Sequence, residues 1–205
     1  DVEVEYRLLL ENNDSQLIFM RIRNPASGIW KISVKPVRRS DGMFHIWLPV
    51  QEFLTGEVYF LEANPDTTLA EPGSSLVAMT VAFYNGVDKS VDINSGRGYT
   101  RDGRVKPDYA VPGVLVSGAG LNNEFVVRSG SSVAAGIATG AAALLMEWGI
   151  VEGNVPTMDG SAIQRFLIRG ARRPGIYSYP NRIWGFGLLD LYGSFRAMRG
   201  IRESF

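Results

Sequence analysis

The hydrophobic pattern of this 205-residue chain changes near Asn64, and this change constrains the fold more than any other feature. Before it, apolar residues alternate with polar ones, as in the run Val2, Val4, Tyr6, Leu8 and Leu10. Similar runs recur at 17–23, 30–34 and 44–48, separated by polar turn sequences. Short alternating runs between turns are typical of antiparallel sheets with one solvated face. Residues 1–63 are therefore predicted to form an antiparallel β segment, and we expect further strands upstream because about five are few for a sandwich.

From residue 64 onward the pattern is that of an α/β fold. Residues 76–84 are an almost continuous apolar run, as in a strand covered on both faces. Residues 131–148 are rich in alanine, with larger apolar side chains at helical spacing. They predict a helix with small residues on every face, packed tightly against its neighbours. Two more helices are predicted, over 160–168 and from about 188 to 198.

Composition excludes several kinds of active site and partner. The chain has no cysteine, which excludes disulfides, cysteine-ligated zinc and thiol nucleophiles. Its one histidine, His45, cannot form a histidine-rich metal centre within one chain. The 21 basic and 21 acidic residues balance, and no apolar run reaches the roughly 18 residues that cross a bilayer, so we expect neither a nucleic acid nor a membrane as a partner. Because the chain begins without an initiator Met or a signal peptide, we expect that it was trimmed or belongs to something longer.

Three segments of the second half carry a resemblance to a known family. They are SGRGYTRDGRVKPDYAVPG at 95–113, RSGSSVAAG at 128–136 and WGFGLLD at 184–190. In order and spacing they resemble the S-S-R-G…D-G-R-x-K-P-D-x-x-A-P-G, G-T-S-x-A-x-P and G-x-G-x-x-[DN] motifs of subtilisin-like serine proteases. The resemblance covers residues 64–205. It implies the C-terminal portion of a subtilisin-like parallel-sheet catalytic domain, with proteins or peptides as substrates.

Shorter segments are similar to a narrower group, the Csp-type subtilases of spore-forming clostridia. They are TLAEPG at 68–73, LLMEWGI at 144–150 and LIRGARR at 167–173. In that group a jelly-roll is inserted into the protease domain just before this region, so the resemblance implies that residues 1–63 are part of such an insert. It also implies a bacterial, spore-associated role, the proteolytic activation of a cortex-lysing zymogen during germination.

The resemblance makes Ser132 the candidate catalytic nucleophile. A serine hydroxyl is a weak nucleophile that needs a neighbouring base, and the first turn of a helix offers free N–H groups to a developing oxyanion. The alternative is that Ser132 is only the N-cap of the helix, a position at which serine is favoured. Two positions depart from the family pattern, since Ser131 replaces a threonine and Gly136 replaces a proline that helps to shape the helix entry.

The other members of a catalytic triad have no matching motif in this chain. His45 lies in FHIW rather than in H-G-T, which favours a structural or surface histidine. Asp41-Gly42 reads as a hairpin turn and Asp102-Gly103 belongs to the D-G-R-x-K-P motif, so we reject both as the D-x-G of the family. The family's oxyanion asparagine also belongs to a segment upstream of the matched residues. We therefore expect the chain alone to be inactive, with Asp and His supplied by an N-terminal part of the same protease.

Weaker patterns are assigned structural roles. Arg169, Arg172 and Arg173 suit a carboxylate or phosphate, but a solvated loop or intrachain ion pairs are favoured. Gly96-Arg97-Gly98 lacks the third glycine of a dinucleotide site, and Arg97 is expected to brace the loop near Ser132. We name no cofactor and no metal ligand, since the acidic residues show no calcium-loop spacing. The tryptophans are expected to be core anchors, with a sugar-binding platform in the β segment as the alternative: Trp30, Trp47, Trp148 and Trp184.

Two other functions stay open at this point. One is a catalytically dead pseudoprotease that acts as a signalling or binding scaffold, as some Csp-type relatives are believed to do. The other is a carbohydrate- or protein-binding β module fused to an inert remnant. Because the missing strands would leave edges and apolar helix faces uncovered, we also expect the fragment to associate with itself or with its complementary piece.

Overall fold

A computed structural model describes residues 1–7, 16–37 and 44–202. The chain divides into two compact units, Asp1–Tyr59 and Phe60–Phe205. The assignment of 1–63 to a jelly-roll insert and of 64–205 to a catalytic domain remains a prediction.

The described residues of the first unit form one antiparallel strand pair. Strand β1 (Val2–Arg7) pairs with β2 (Leu17–Ile22), with Val2 opposite Ile22 and Arg7 opposite Leu17. A short 3₁₀ turn follows at Gln51–Phe53. The two alternating runs at 30–34 and 44–48 were predicted as strands, and this prediction is wrong. An extended segment becomes a strand only when a neighbour accepts its backbone hydrogen bonds, and no described residue of this unit pairs with either run.

The second unit is built around two parallel strands. Strand β3 (Val81–Asn85) pairs with β4 (Tyr109–Val114), with Val81 opposite Tyr109. The predicted strand at 76–84 therefore begins five residues late, and Leu76 and Val77 are 77% and 93% exposed. The pairing ends near Thr80, whose carbonyl accepts from Asp108 N–H at 2.7 Å, because Pro107 has no N–H to extend it.

A hairpin joins this sheet to the longest helix. Strands β5 (Val116–Ala119) and β6 (Phe125–Arg128) are antiparallel, and helix α1 (Ser131–Met146) follows and continues as a π-helical turn at Glu147–Val151. One stripe of α1 is buried and packs on β3 and β4: Ala134, Ala138, Ala141 and Leu145. The helix is as predicted, but its opposite face is exposed in this chain, so it is not enclosed on every side.

The stretch Ser131–Val151 is also the one described helix that is long and apolar enough to cross a membrane, with a mean hydropathy of 1.5. Core helices of globular proteins have the same length and composition. The alanine stripe that packs on the sheet indicates a core helix.

Two further helices complete the core. Helix α2 (Gly160–Gly170) begins after Asp159, whose carboxylate caps it by accepting from Ala162 N–H at 2.7 Å. Helix α3 (Leu191–Arg202) packs on α2 and begins about three residues later than predicted. The delay arises because Leu188 and Leu189 are still extended, with Leu189 N–H bonded to Ala110 O at 2.8 Å. The buried core between sheet and helices contains large apolar side chains, among them Phe83, Tyr109, Val111, Ile163, Leu167 and Met198.

Candidate functional site

The start of helix α1 is held against the end of strand β4 by two glycines. Gly130 has φ 138°, a conformation that L side chains rarely adopt, and its N–H donates to Gly113 O at 2.7 Å. A Cβ at Gly113 would lie 2.8 Å from the Cβ of Phe83 and 3.2 Å from that of Ala134. Glycine at both positions therefore lets strand, loop and helix meet closely, which sets where the helix begins.

Ser132 lies in the first turn of α1 and is exposed. The N-cap is Gly130, so the alternative that Ser132 is only a capping residue is wrong. Among the residues that the structure describes, none forms a hydrogen bond with the Ser132 hydroxyl. Val133 and Ala134 N–H both donate to Gly130 O, at 3.1 and 3.3 Å, so the carbonyl of the N-cap residue accepts the first bonds of the helix. The nucleophilic role of Ser132 remains a prediction, but its hydroxyl is accessible and uncommitted.

A polar cavity of about 310 Å³ opens beside this helix start. It is lined by Phe83, Asp92, Asn94, Ser129, Gly130 and Ser131. Asp92 Oδ1 accepts from the backbone N–H of Asn94 at 2.8 Å and from its Nδ2 at 3.0 Å. The Ser129 hydroxyl accepts from Leu115 N–H at 2.8 Å. The cavity thus adjoins the residues that immediately precede Ser132.

A buried ion pair that sequence reasoning missed lies in the K-P-D part of the first motif. Lys106 Nζ and Asp108 Oδ2 are 2.7 Å apart, and their side chains are only 5% and 4% exposed. Lys106 also donates to Ala78 O at 2.6 Å, while Asp108 accepts from Thr80 N–H and Gln164 Nε2, both at 2.7 Å. The pair therefore ties the entry to β3, the entry to β4 and helix α2 together. The signal in the sequence was two opposite charges two residues apart, directly before a buried strand.

The other aspartate of that motif is engaged in its own loop. Asp102 accepts from the Thr100 hydroxyl and from Arg104 Nε, the latter at 2.6 Å. The hydrogen bond from Thr100 has the largest effect, and together with the bond from Arg104 it lowers the pKa of Asp102 to about 2. Both carboxylate oxygens therefore accept hydrogen bonds from within the loop. Asp41 and Gly42 lie outside the described residues.

His45 belongs to the first unit and is exposed. Its ring stacks on that of Trp47, with centroids 5.5 Å apart and an interplanar angle of 16°. Both rings of this contact belong to the first unit, and Ser132 belongs to the second.

Two of the four tryptophans pack within the second unit, and the other two are exposed in the first unit. Trp184 is buried beside Tyr84, and Trp148 packs edge-on against Phe195 with centroids 5.8 Å apart. Trp30 and Trp47 are 52% and 54% exposed, so the expectation that they anchor a core is wrong in this chain. The first unit has few neighbouring elements among its described residues and cannot enclose them.

The remaining basic residues take structural positions. Arg97 is joined to Thr68 through its backbone, by bonds of 3.1 Å from Arg97 N–H and 2.9 Å to Arg97 O. Arg173 donates to Ile168 O at 2.6 Å at the end of α2, while Arg169 and Arg172 are exposed. Within the described ranges, no group of three or more His, Asp or Glu side chains is placed to hold a metal ion.

Comparison with known proteins supports a common family for the second unit. Residues 55–187 match the model of the subtilase family. The solved structure of the Clostridium perfringens CspB protease is 33% identical over 69% of this chain, with a TM-score of 0.66. The prenylagaramide maturation protease PagA is 25% identical over 64% of the chain, and the self-cleaved protease domain of PatA is 22% identical over 67%, both with a TM-score of 0.53. The PatA likeness shows the fold alone.

This chain spans only part of each of these proteins. It covers 30% of the CspB chain, 46% of the PagA chain and 47% of the PatA chain. No curated protein matches it.

Proposed function

The chain belongs to the subtilase family, and we propose that it carries the nucleophile of a serine endopeptidase, Ser132. Its partial α/β subtilisin-like fold and its similarity to the CspB protease support a Csp-type subtilase. The observation that carries the proposal is the position of Ser132. It lies in an exposed first helical turn, its hydroxyl is uncommitted, and it directly follows residues that line a polar cavity.

The chemistry that follows is acyl transfer. The Ser132 hydroxyl attacks the peptide carbonyl while a base removes its proton, and the N–H groups and positive dipole end of α1 stabilise the oxyanion. The leaving amine takes the proton, and water then hydrolyses the acyl-enzyme. The proposed base is a histidine held by an aspartate, both supplied by the N-terminal part of the same protease. The N-terminal part is thus the first partner we propose.

A biological role follows from the narrower similarity. We propose that the complete protease activates a cortex-lysing zymogen in spore germination. The identity of 33% with the CspB protease of Clostridium perfringens supports this role.

The test uses the complete protein and a fluorophosphonate probe, which reacts with activated serines. We expect covalent labelling that disappears in Ser132→Ala and persists in Ser117→Ala, a matched change at an exposed serine of β5. Both variants must unfold at the same temperature as the original protein. Labelling that survives in Ser132→Ala would exclude Ser132 as the nucleophile.

A pseudoprotease is the second candidate. It is favoured by Gly136, which replaces the proline expected near the helix entry. A complete protein that is folded but never labelled, and that binds its partners equally well as Ser132→Ala, would establish this alternative.

A further inference from the structure

The cavity beside the start of α1 contains a carboxylate that the proposed acyl transfer does not use. Asp92 and Asn94 form one wall, and Ser129, Gly130 and Ser131 form the wall that leads to Ser132. A side chain that occupies this cavity is therefore attached to the substrate close to the bond that Ser132 attacks. The chemistry of the cavity wall then determines which substrates are accepted there.

The Asp92 carboxylate is held in place through Oδ1, and its Oδ2 has no hydrogen-bond partner among the described residues. Its Oδ1 accepts both bonds from Asn94, and its carbonyl accepts from Ser95 N–H at 3.0 Å. Ser95 is itself fixed to the sheet, because its hydroxyl accepts from Phe83 N–H at 3.0 Å. Among the described residues, no basic side chain lies within salt-bridge distance of Asp92. A negative charge is thus pre-positioned at the cavity and is not neutralised by this part of the chain.

We infer that this cavity is a specificity subsite that takes a lysine or arginine side chain of the substrate, with Asp92 as its charge partner. The inference rests on the proposed function and adds a substrate class to it. A cationic head forms a charge-assisted hydrogen bond with the second carboxylate oxygen of Asp92. An acidic side chain in the same place is repelled. The contacts with Asn94 and Ser95 already fix the Asp92 carboxylate, so little conformational entropy is lost there when a substrate binds.

The test measures binding rather than turnover, so that it does not depend on the catalytic step. The complete protein carrying Ser132→Ala is titrated with three fluorescein-labelled alanine-glycine hexapeptides that differ at one residue, lysine, glutamine or glutamate. We expect the lysine peptide to bind about fivefold more tightly than the glutamine peptide, the effect of a partly exposed ion pair, and the glutamate peptide to bind least. Asp92→Asn, which keeps the shape of the side chain, should abolish the difference between lysine and glutamine.

Asp88→Asn is the matched control. Asp88 also accepts from a backbone N–H two residues later, that of Ser90 at 2.8 Å, but it does not line the cavity. The lysine preference should therefore survive in Asp88→Asn.

Each other outcome overturns the inference. These are equal affinities of the three peptides, no binding of any of them, and a lysine preference that persists in Asp92→Asn. The proposed function fails by a different measurement, since it requires fluorophosphonate labelling of Ser132 in the active protein. A protein that is labelled but shows no preference for lysine would overturn this inference alone.

Discussion

Lys106 and Asp108 show what a short charged motif does when it is buried. The pair satisfies two backbone groups and the side chain of Gln164 in addition to itself, at distances of 2.6–2.7 Å. A buried pair of this kind need not stabilise the fold more than apolar residues would, but removing one partner leaves the other charge without compensation. Lys106 and Asp108, which belong to the first family motif, therefore have a structural role in this chain.

Replacing one member of this pair should be far more damaging than replacing both. We expect Lys106→Met to lower the free energy of unfolding by about 3–5 kcal/mol, because Asp108 is left buried and unpaired. The double variant Lys106→Met with Asp108→Leu should recover part of that loss. Urea unfolding followed by tryptophan fluorescence measures both. Arg104→Met, which breaks the more exposed pair with Asp102, is the control and should lower stability much less.

Tyr109 provides a second test on a single side chain. It is fully buried, its hydroxyl has no partner among the described residues, and burial raises its pKa to about 12. The unfolded chain ionises near pH 10 and the folded one only near pH 12, so the free energy of unfolding should fall as the pH rises across this window. Tyr109→Phe should remove that part of the fall.

At neutral pH Tyr109→Phe should cost little stability, since no hydrogen bond is lost. The same change at the exposed Tyr192 is the control for the alkaline scan. An alkaline fall that is identical in the original protein and in Tyr109→Phe would contradict this reading.

The contact between strand β4 and helix α1 depends on the glycine at position 113 but not on the glycine at position 140. At Gly113 a Cβ would meet the Gly130 carbonyl oxygen and two side-chain carbons within 3.2 Å, whereas a Cβ at Gly140 on the exposed face of α1 would meet nothing within 4 Å. The two glycines are therefore present for different physical reasons. The first permits close packing, and the second only weakens the helix.

Alanine substitutions should separate these two cases. We expect Gly140→Ala to raise the free energy of unfolding by about 0.5–1 kcal/mol through helix propensity. Gly113→Ala should lower it, because Phe83 and the Gly130 carbonyl must move apart. Thermal unfolding by circular dichroism compares the two variants. Equal effects would show that the spacing between β4 and α1 is not the constraint.

The second unit exposes apolar surface on more than one element. Leu121 and Phe125 in the β5–β6 hairpin are 85% and 82% exposed, and Leu144 and Met146 are exposed on the outer face of α1. Exposed apolar patches of this kind are typical of surfaces that contact other protein. We propose that the rest of the protease covers part of this surface, and that the chain by itself associates with other copies.

The association can be measured directly. We expect light scattering to show a mass above 22.5 kDa for the isolated chain, rising with concentration. Phe125→Asp should reduce the association, whereas Val87→Asp, a matched change at an exposed position outside the hairpin and α1, should reduce it less. A concentration-independent monomer would exclude self-association.

Some features could be predicted from the sequence because they depend on neighbouring residues. Helical spacing located α1 and α2, and three ordered motifs identified the family and the segment that contains Ser132. A helix forms its hydrogen bonds within itself, so its signal is complete in one stretch of chain. A strand does not, and the runs at 30–34 and 76–80 show that alternation or continuous apolar character predicts a strand only where a partner is available.

Tertiary structure alone decided the contacts between distant segments. The approach of Gly113 to Gly130, the bond between Asp108 and Gln164, and the cavity that brings Asp92 beside Ser131 join residues that are 17, 56 and 39 positions apart. Nothing in local propensity determines such meetings, because they result from how a sheet, a hairpin and two helices share one buried core. The sequence thus determined the family and the candidate nucleophile, Ser132, and the packing determined what surrounds that residue.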